Sequence, residues 1–241
     1  MNSSVKFGTT TINYNVIYSK RKTIEIGIKA PDIVTVRAPK YISIDQIDKT
    51  VLAKGKWIVQ KLSLIQKVGY IPIKREYLSG EEFMYMGRSY SLEVINDESN
   101  VKPEIKLNEG KLIISISHRN SEDMKEIIKN ALEEWYRQKA KEMIENRVEY
   151  YNRHFKLKPK NIKIKDQKTR WGSCTFKNDL AFNYKLIMAP SDVLDYVVVH
   201  EMCHMEHKNH SKDFWESVGS ILPDYMEKRK WLKEHGVKMD I

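Results

Sequence analysis

The chain has 241 residues, with 42 Lys and Arg against 32 Asp and Glu, and only 10 Gly, 7 Pro and 2 Cys. That length is ample for a packed core, and 41% hydrophobic with 31% charged residues excludes a disordered, collagen-like or low-complexity chain. Two cysteines, Cys174 and Cys203, exclude a disulfide scaffold and point to a reducing compartment.

Residues 1–6 lack the apolar core of a signal peptide, and no apolar run approaches the roughly 20 residues of a membrane helix. A soluble, cytoplasmic, basic protein without a membrane segment is therefore expected. The first third reads as strands. Residues 11–18 and 23–28 alternate with period two, and 33–36 follow before Pro39. Ser43-Ile44-Asp45-Gln46 fits a capping box, and Ile47, Val51, Ile58, Leu62 and Ile65 then recur at helical spacing. This predicts one helix over 44–67, weakened at Gly55. Gly69, Pro72 and Gly80 mark a connection, and strands are expected at 83–86, 90–95 and 112–117.

The second half changes character. A long helix is expected from Ser121-Glu122-Asp123 to about Tyr151, with Met124, Ile128, Ala131, Trp135, Ile144 and Val148 along one side. Short strands are expected at 161–165, 171–176 and 180–184. Pro190-Ser191-Asp192 opens a helix to about His207, with Ser191 as its cap. Ser211 and Asp213 start another that Pro223 stops, and Asp224-Tyr225-Met226-Glu227 reads as a capping box for the last, which Gly236 ends. No internal repeat is visible. The fold class is α+β: a β-rich N-terminal domain with one helix over 1–118, then a helical domain over 119–241.

Four of the seven histidines fall in eleven residues, His200, His204, His207 and His210, and the first two frame H-E-x-x-H with Glu201. On a helix, residues four apart stack one turn above the other, so His200 and His204 can grip one metal from the same face. Glu201, one step around, can reach the water that such a metal activates. Imidazole ligands, an open position and a carboxylate base are the parts of a zinc hydrolase. The preceding Tyr196-Val197-Val198-Val199 buries the helix, and buried His and Glu need partners.

For the third ligand His210 is favoured. His207 lies a turn beyond the pair, whereas the chain can bend back after Lys208-Asn209. H-E-x-x-H-x₅-H is the longer metzincin spacing, although that pattern has Gly where His207 stands. Glu216, Glu227 and Glu234 are the other candidates. Cys203 reads as a small core residue, and His118, His154 and His235 are isolated.

Residues 1–68 carry 12 basic and 4 acidic side chains, and 151–185 carry 10 and 2, so each segment is +8. Lysines alternating with apolar residues fit solvated strand faces. The same charge fits a surface beside the cleft for nucleic acid or another polyanion.

Arg170-Trp171-Gly172-Ser173-Cys174, the run 180–190, Asp195 through His204, and Asn209-His210-Ser211-Lys212-Asp213-Phe214-Trp215 together resemble the bacterial YgjP-like metallopeptidase family, a relative of the SprT and WLM zincins. The specific likeness covers about 170–215, and Tyr85-Met86-Gly87-Arg88-Ser89-Tyr90 and Trp135-Tyr136-Arg137 echo it more loosely. The resemblance implies a zincin-like core over 119–241, with the H-E-x-x-H helix under a small sheet. It also implies Zn²⁺ on His200, His204 and His210 and a catalytic Glu201, but it does not fix the substrate, for which a peptide or protein is expected. Arg-Trp-Gly-Ser-Cys is either the sheet edge facing the cleft or a structural turn at Gly172 with Trp171 in the core. A zinc metallopeptidase is the expected function. A zinc-dependent nucleoside triphosphate hydrolase and a nucleic-acid-associated zinc module are the alternatives.

Overall fold

The computed structural model describes residues 2–29, 32–68, 74–99, 102–117 and 124–241. The chain forms two compact units, Met1–Lys74 and Arg75–Ile241, each with its own core. No helix among the described residues is long and apolar enough to cross a membrane.

The first unit is a four-stranded sheet with two helices. Strands β1 (Asn2–Phe7), β2 (Thr10–Ser19), β3 (Glu25–Lys29) and β4 (Ile33–Pro39) lie in the order β1-β2-β4-β3. β2 and β4 run parallel, and the outer pairs are antiparallel. Alternation turns Ile12, Tyr14 and Val16 inward, where they meet Val34, Val36, Ile47, Val51 and Ile58. The Ser43–Gln46 capping box forms and starts α1 (Ile44–Ala53). The single helix expected over 44–67 is instead two, because α2 (Gly55–Val68) begins after a break at Lys54. Gly55 marks the junction for a packing reason: a Cβ there would overlap the ring of Phe7 on β1.

The second unit opens with β5 (Glu82–Tyr85), β6 (Arg88–Asn96), β7 (Glu104–Asn108) and β8 (Lys111–Ile116), in the order β5-β6-β8-β7. Again the middle pair is parallel and the outer pairs antiparallel. The two sheets thus share one strand order, a repeat of topology that the sequence does not display. The division expected at 118–121 lies outside the described residues. The sheet it would have grouped with the N-terminal domain shares its core with the later helices. Phe83, Leu92, Leu112 and Ile114 pack in one cluster with the inward face of α3 (Met124–Tyr151), namely Ile128, Leu132, Tyr136, Ala140, Ile144 and Val148. Tyr136 Oη donates to the carbonyl of Met84 at 2.7 Å, and Met86 and Gly87 donate to the carbonyls of Ile187 and Met188. The expected start of the long helix, Ser121-Glu122-Asp123, and His118 also lie outside the described residues.

After α3 come β9 (Asn161–Lys165), β10 (Gly172–Cys174) and β11 (Asp179–Asn183), a small sheet in the order β10-β11-β9 with β10 on one edge. Ile162 and Ile164 turn toward the core while Lys163 and Lys165 are exposed, which accounts for the lysine alternation of that basic segment. A 3₁₀ turn (Tyr184–Met188) leads to α4 (Ser191–Glu206), α5 (Lys212–Ile221) and α6 (Tyr225–His235). Two expected caps differ. Pro190, not Ser191, occupies the N-cap of α4. Asp224 precedes α6 without capping it, because its carboxylate is taken by Lys228 at 2.9 Å, which also pairs with Asp192 at 2.6 Å.

One ion pair ties α3 to α4. Arg147 grips the largely buried Asp195 through Nε at 2.5 Å and Nη2 at 2.6 Å, and Tyr151 Oη donates to the same carboxylate at 3.1 Å. Removing one partner of such a pair strands the other in a dry site. Arg147→Met is expected to lower the unfolding free energy by about 3 kcal/mol in urea titrations. A loss below about 1 kcal/mol would instead make it a solvent-screened surface pair.

Candidate metal centre

His200, Glu201 and His204 lie on α4, the most thoroughly buried helix of the unit. His210 lies past its end, in the short link to α5. His207 closes the helix, and the link brings His210 back toward it. The ring nitrogens converge: His210 Nε2 is 3.1 Å from His200 Nε2 and 3.2 Å from His204 Nε2. All three ligand atoms lie within 4.8 Å of one another, and among the described residues no other group of three or more His, Cys, Asp or Glu side chains is so gathered.

The hydrogen-bond pattern leaves a lone pair of His204 at the centre, while the buried Nδ1 of His200 has no partner. His204 Nδ1 is 2.9 Å from the carbonyl of His207. A carbonyl only accepts, so Nδ1 carries the hydrogen and Nε2 is bare. One hydrogen on His210 Nε2 can serve only one of its two neighbours well, whereas a divalent cation takes all three lone pairs. The donor set therefore fits a metal of zinc's preferences and fills three of its usual four positions. His207 contributes its carbonyl rather than its ring. Glu216 is exposed and paired with Lys212 at 3.3 Å, and Glu227 and Glu234 are not part of the gathered group.

Burial sets the site's proton affinities. His200 is pushed down to about 3, first by desolvation and then by the neighbouring His204, His210 and Arg229. Glu201, only 5% exposed, is pushed up to about 8 by burial, with Arg170 pulling weakly the other way. Its carboxyl lies against Gly172 of β10. A Cβ at Gly172 would stand 2.5 Å from Glu201 Cγ and 2.6 Å from Oε1. Of the two sequence-based readings of the Arg-Trp-Gly-Ser-Cys stretch, the sheet edge holds and the turn at Gly172 does not, because Gly172 is paired in strand β10. Gly172 to Cys174 form the edge strand beside Glu201, while Trp171 packs against Gly236 after α6.

Some neighbours of the site were not singled out for it in the sequence. Lys208 bridges the link to the β10–β11 turn, donating to the carbonyl of Thr175 at 3.2 Å and to Asn178 Oδ1 at 2.5 Å. Phe214, fully buried, touches all three histidine rings, with centroids 4.9, 4.4 and 4.8 Å from His200, His204 and His210. The available signal was an aromatic pair four and five residues after the third histidine. Cys203 is a core residue: it is buried, its thiol lies 3.5 Å from Ser217 Oγ, and burial pushes it up to about 11.

No curated protein matches this chain. Among solved structures, the metallopeptidase zymogen abylysin of Pyrococcus abyssi aligns with 37% of this chain and 93% of its own, at 19% identity and a TM-score of 0.34. The model of the YgjP-like metallopeptidase domain matches residues 22–235, nearly the whole chain, and with that extent of match the chain belongs to the YgjP-like metallopeptidase family.

Proposed function

We propose that the protein is a zinc metallopeptidase with a zincin-like core, in which His200, His204 and His210 hold the ion and Glu201 is the general base. The observation that carries this reading is the convergence of three imidazole Nε2 atoms beside a buried carboxyl on the next residue of the same helix. Zinc bound there would supply Lewis acidity, polarising a carbonyl and easing the ionisation of water.

The remaining work falls to the chain's own side chains. Glu201 accepts a proton from the attacking water as the new C–O bond forms. It then gives that proton to the amide nitrogen as the C–N bond breaks, so the products are a carboxylic acid and an amine. Burial raises the proton affinity of this carboxyl, and the positive charge of a bound ion would oppose that rise and favour the carboxylate that accepts the proton. The edge strand β10 offers main-chain groups along which an extended peptide can pair, next to Glu201.

The ligand assignment is tested by metal analysis of two variants. His210→Ala is expected to lose zinc, and His207→Ala is expected to keep it, since only the backbone carbonyl of His207 serves the site. The reverse result would remove His210 from the ligand set.

A further inference from the structure

His210 lacks the helix that fixes the other two histidines, and like the buried Nδ1 of His200 its second ring nitrogen has no hydrogen-bond partner among the described residues. His200 and His204 are fixed by their helix, and His204 is further held by the carbonyl of His207. His210 is exposed, lies outside any helix, and its Nδ1 makes no hydrogen bond among the described residues. Metal-binding histidines are ordinarily aimed by a hydrogen bond to the second nitrogen. Here the neighbouring groups are rings: Phe214 meets His210 edge-on at 4.8 Å, and the Trp215 ring, tilted against His200 at 5.7 Å, stacks on His210 at 5.5 Å between centroids and 23° between planes.

We propose that Trp215 is a positioning residue for His210, aiming its imidazole by stacking where no hydrogen bond does so. This rests on the reading of His210 as a metal ligand. The local sequence builds the contact. Ser211 is the N-cap of α5, accepting from the Phe214 N–H at 3.4 Å, so His210 precedes the cap and Trp215 is the fourth helical residue. These are the two positions that pack on each other at helix starts and fix the angle at which the chain enters. The indole is in turn held from α6. Tyr225 stacks on it at 5.4 Å and 15°, and the Arg229 guanidinium lies 4.9 Å from its centroid. Lys228, between them in sequence, ties α6 to α4 through its ion pair with Asp192. Tyr225 also stacks on Tyr196, which meets His200 edge-on at 5.8 Å. The rings thus run from one ligand to the other without a break.

The test is zinc affinity by chelator competition, with the Co²⁺ absorption spectrum as a report of ligand geometry. Trp215→Leu is expected to bind zinc about 10–100-fold more weakly, the range for removing a group that orients a ligand, and to alter the cobalt spectrum. Trp215→Phe, which keeps a stacking ring, is expected to recover most of the affinity. Trp231→Leu removes a tryptophan that stacks on His235, and is expected to match the wild type. Should the leucine variant not fold, Trp215→Met fills the space without a ring plane and carries the same expectation. Wild-type affinity and spectrum in Trp215→Leu or Trp215→Met would overturn the proposal, as would an equal loss in Trp231→Leu. A wild-type protein that binds no zinc would overturn the metal reading itself, a distinguishable result.

Discussion

Glu201→Gln is expected to keep the metal and the fold while turnover falls by about a thousandfold or more, the upper part of the range for losing a general base. The amide matches the carboxylate in shape, so the buried space on α4 stays filled and the Gly172 contact stays unstrained. What disappears is an oxygen that can take a proton and return it. His200, His204 and His210 are untouched, so zinc content measured beside the rates should be unchanged. Turnover near that of the wild type, with zinc retained, would remove Glu201 as the base and shift the proton transfer to another group.

The second large effect is expected at a residue with no side chain. In Gly172→Ala the new methyl group would arrive 2.5–2.8 Å from Glu201 Cγ, Oε1 and Cδ. That is closer than non-bonded carbon and oxygen atoms tolerate, so either the β10 strand or the carboxyl must move. The backbone of Gly172 is not in the left-handed region, so the cost is steric rather than conformational. Overpacking of this kind costs about 1–3 kcal/mol of stability. Displacing a catalytic group by about 1 Å costs about a hundredfold in rate. The variant should therefore lose kcat by about that factor with zinc retained. Unchanged kcat would show that the edge strand yields freely and that Gly172 does not define the position of Glu201.

Much of this site could be read from the chain because its parts are close in sequence. His200, Glu201 and His204 need only a helix to become neighbours, and the valines before them announce a buried one. The turn after Asn209 that returns His210 is likewise local, and the Ser211 cap that fixes it is visible as a residue type. Long-range placement was harder. Gly172 lies 29 residues before Glu201, and nothing in Trp-Gly-Ser says which side chain will fill the space where a Cβ is missing. Trp215 reads equally well as an ordinary core residue, and its role follows only from the plane of its ring against His210 and Tyr225. Period-two alternation located six of the eight strands of the two large sheets, missing the edge strands β1 and β7, and did not show which core each would join. Phe83, Leu92 and Ile114 have the same alternation as Ile12, Tyr14 and Val16, and it is contact with α3 that separates them. The Asp224 cap failed because a capping aspartate and an ion-pairing one look alike until Lys228, four residues on, is placed.

The most direct measurement is hydrolysis by the zinc-loaded protein, with unfolded protein substrates in one assay, nucleoside triphosphates in another, and Glu201→Gln as the blank in both. New amino termini are expected from the protein substrates, released by the wild type and not by the blank, with no phosphate above the blank. Glu201-dependent phosphate or pyrophosphate release, without any peptide cleavage, would contradict the peptidase reading.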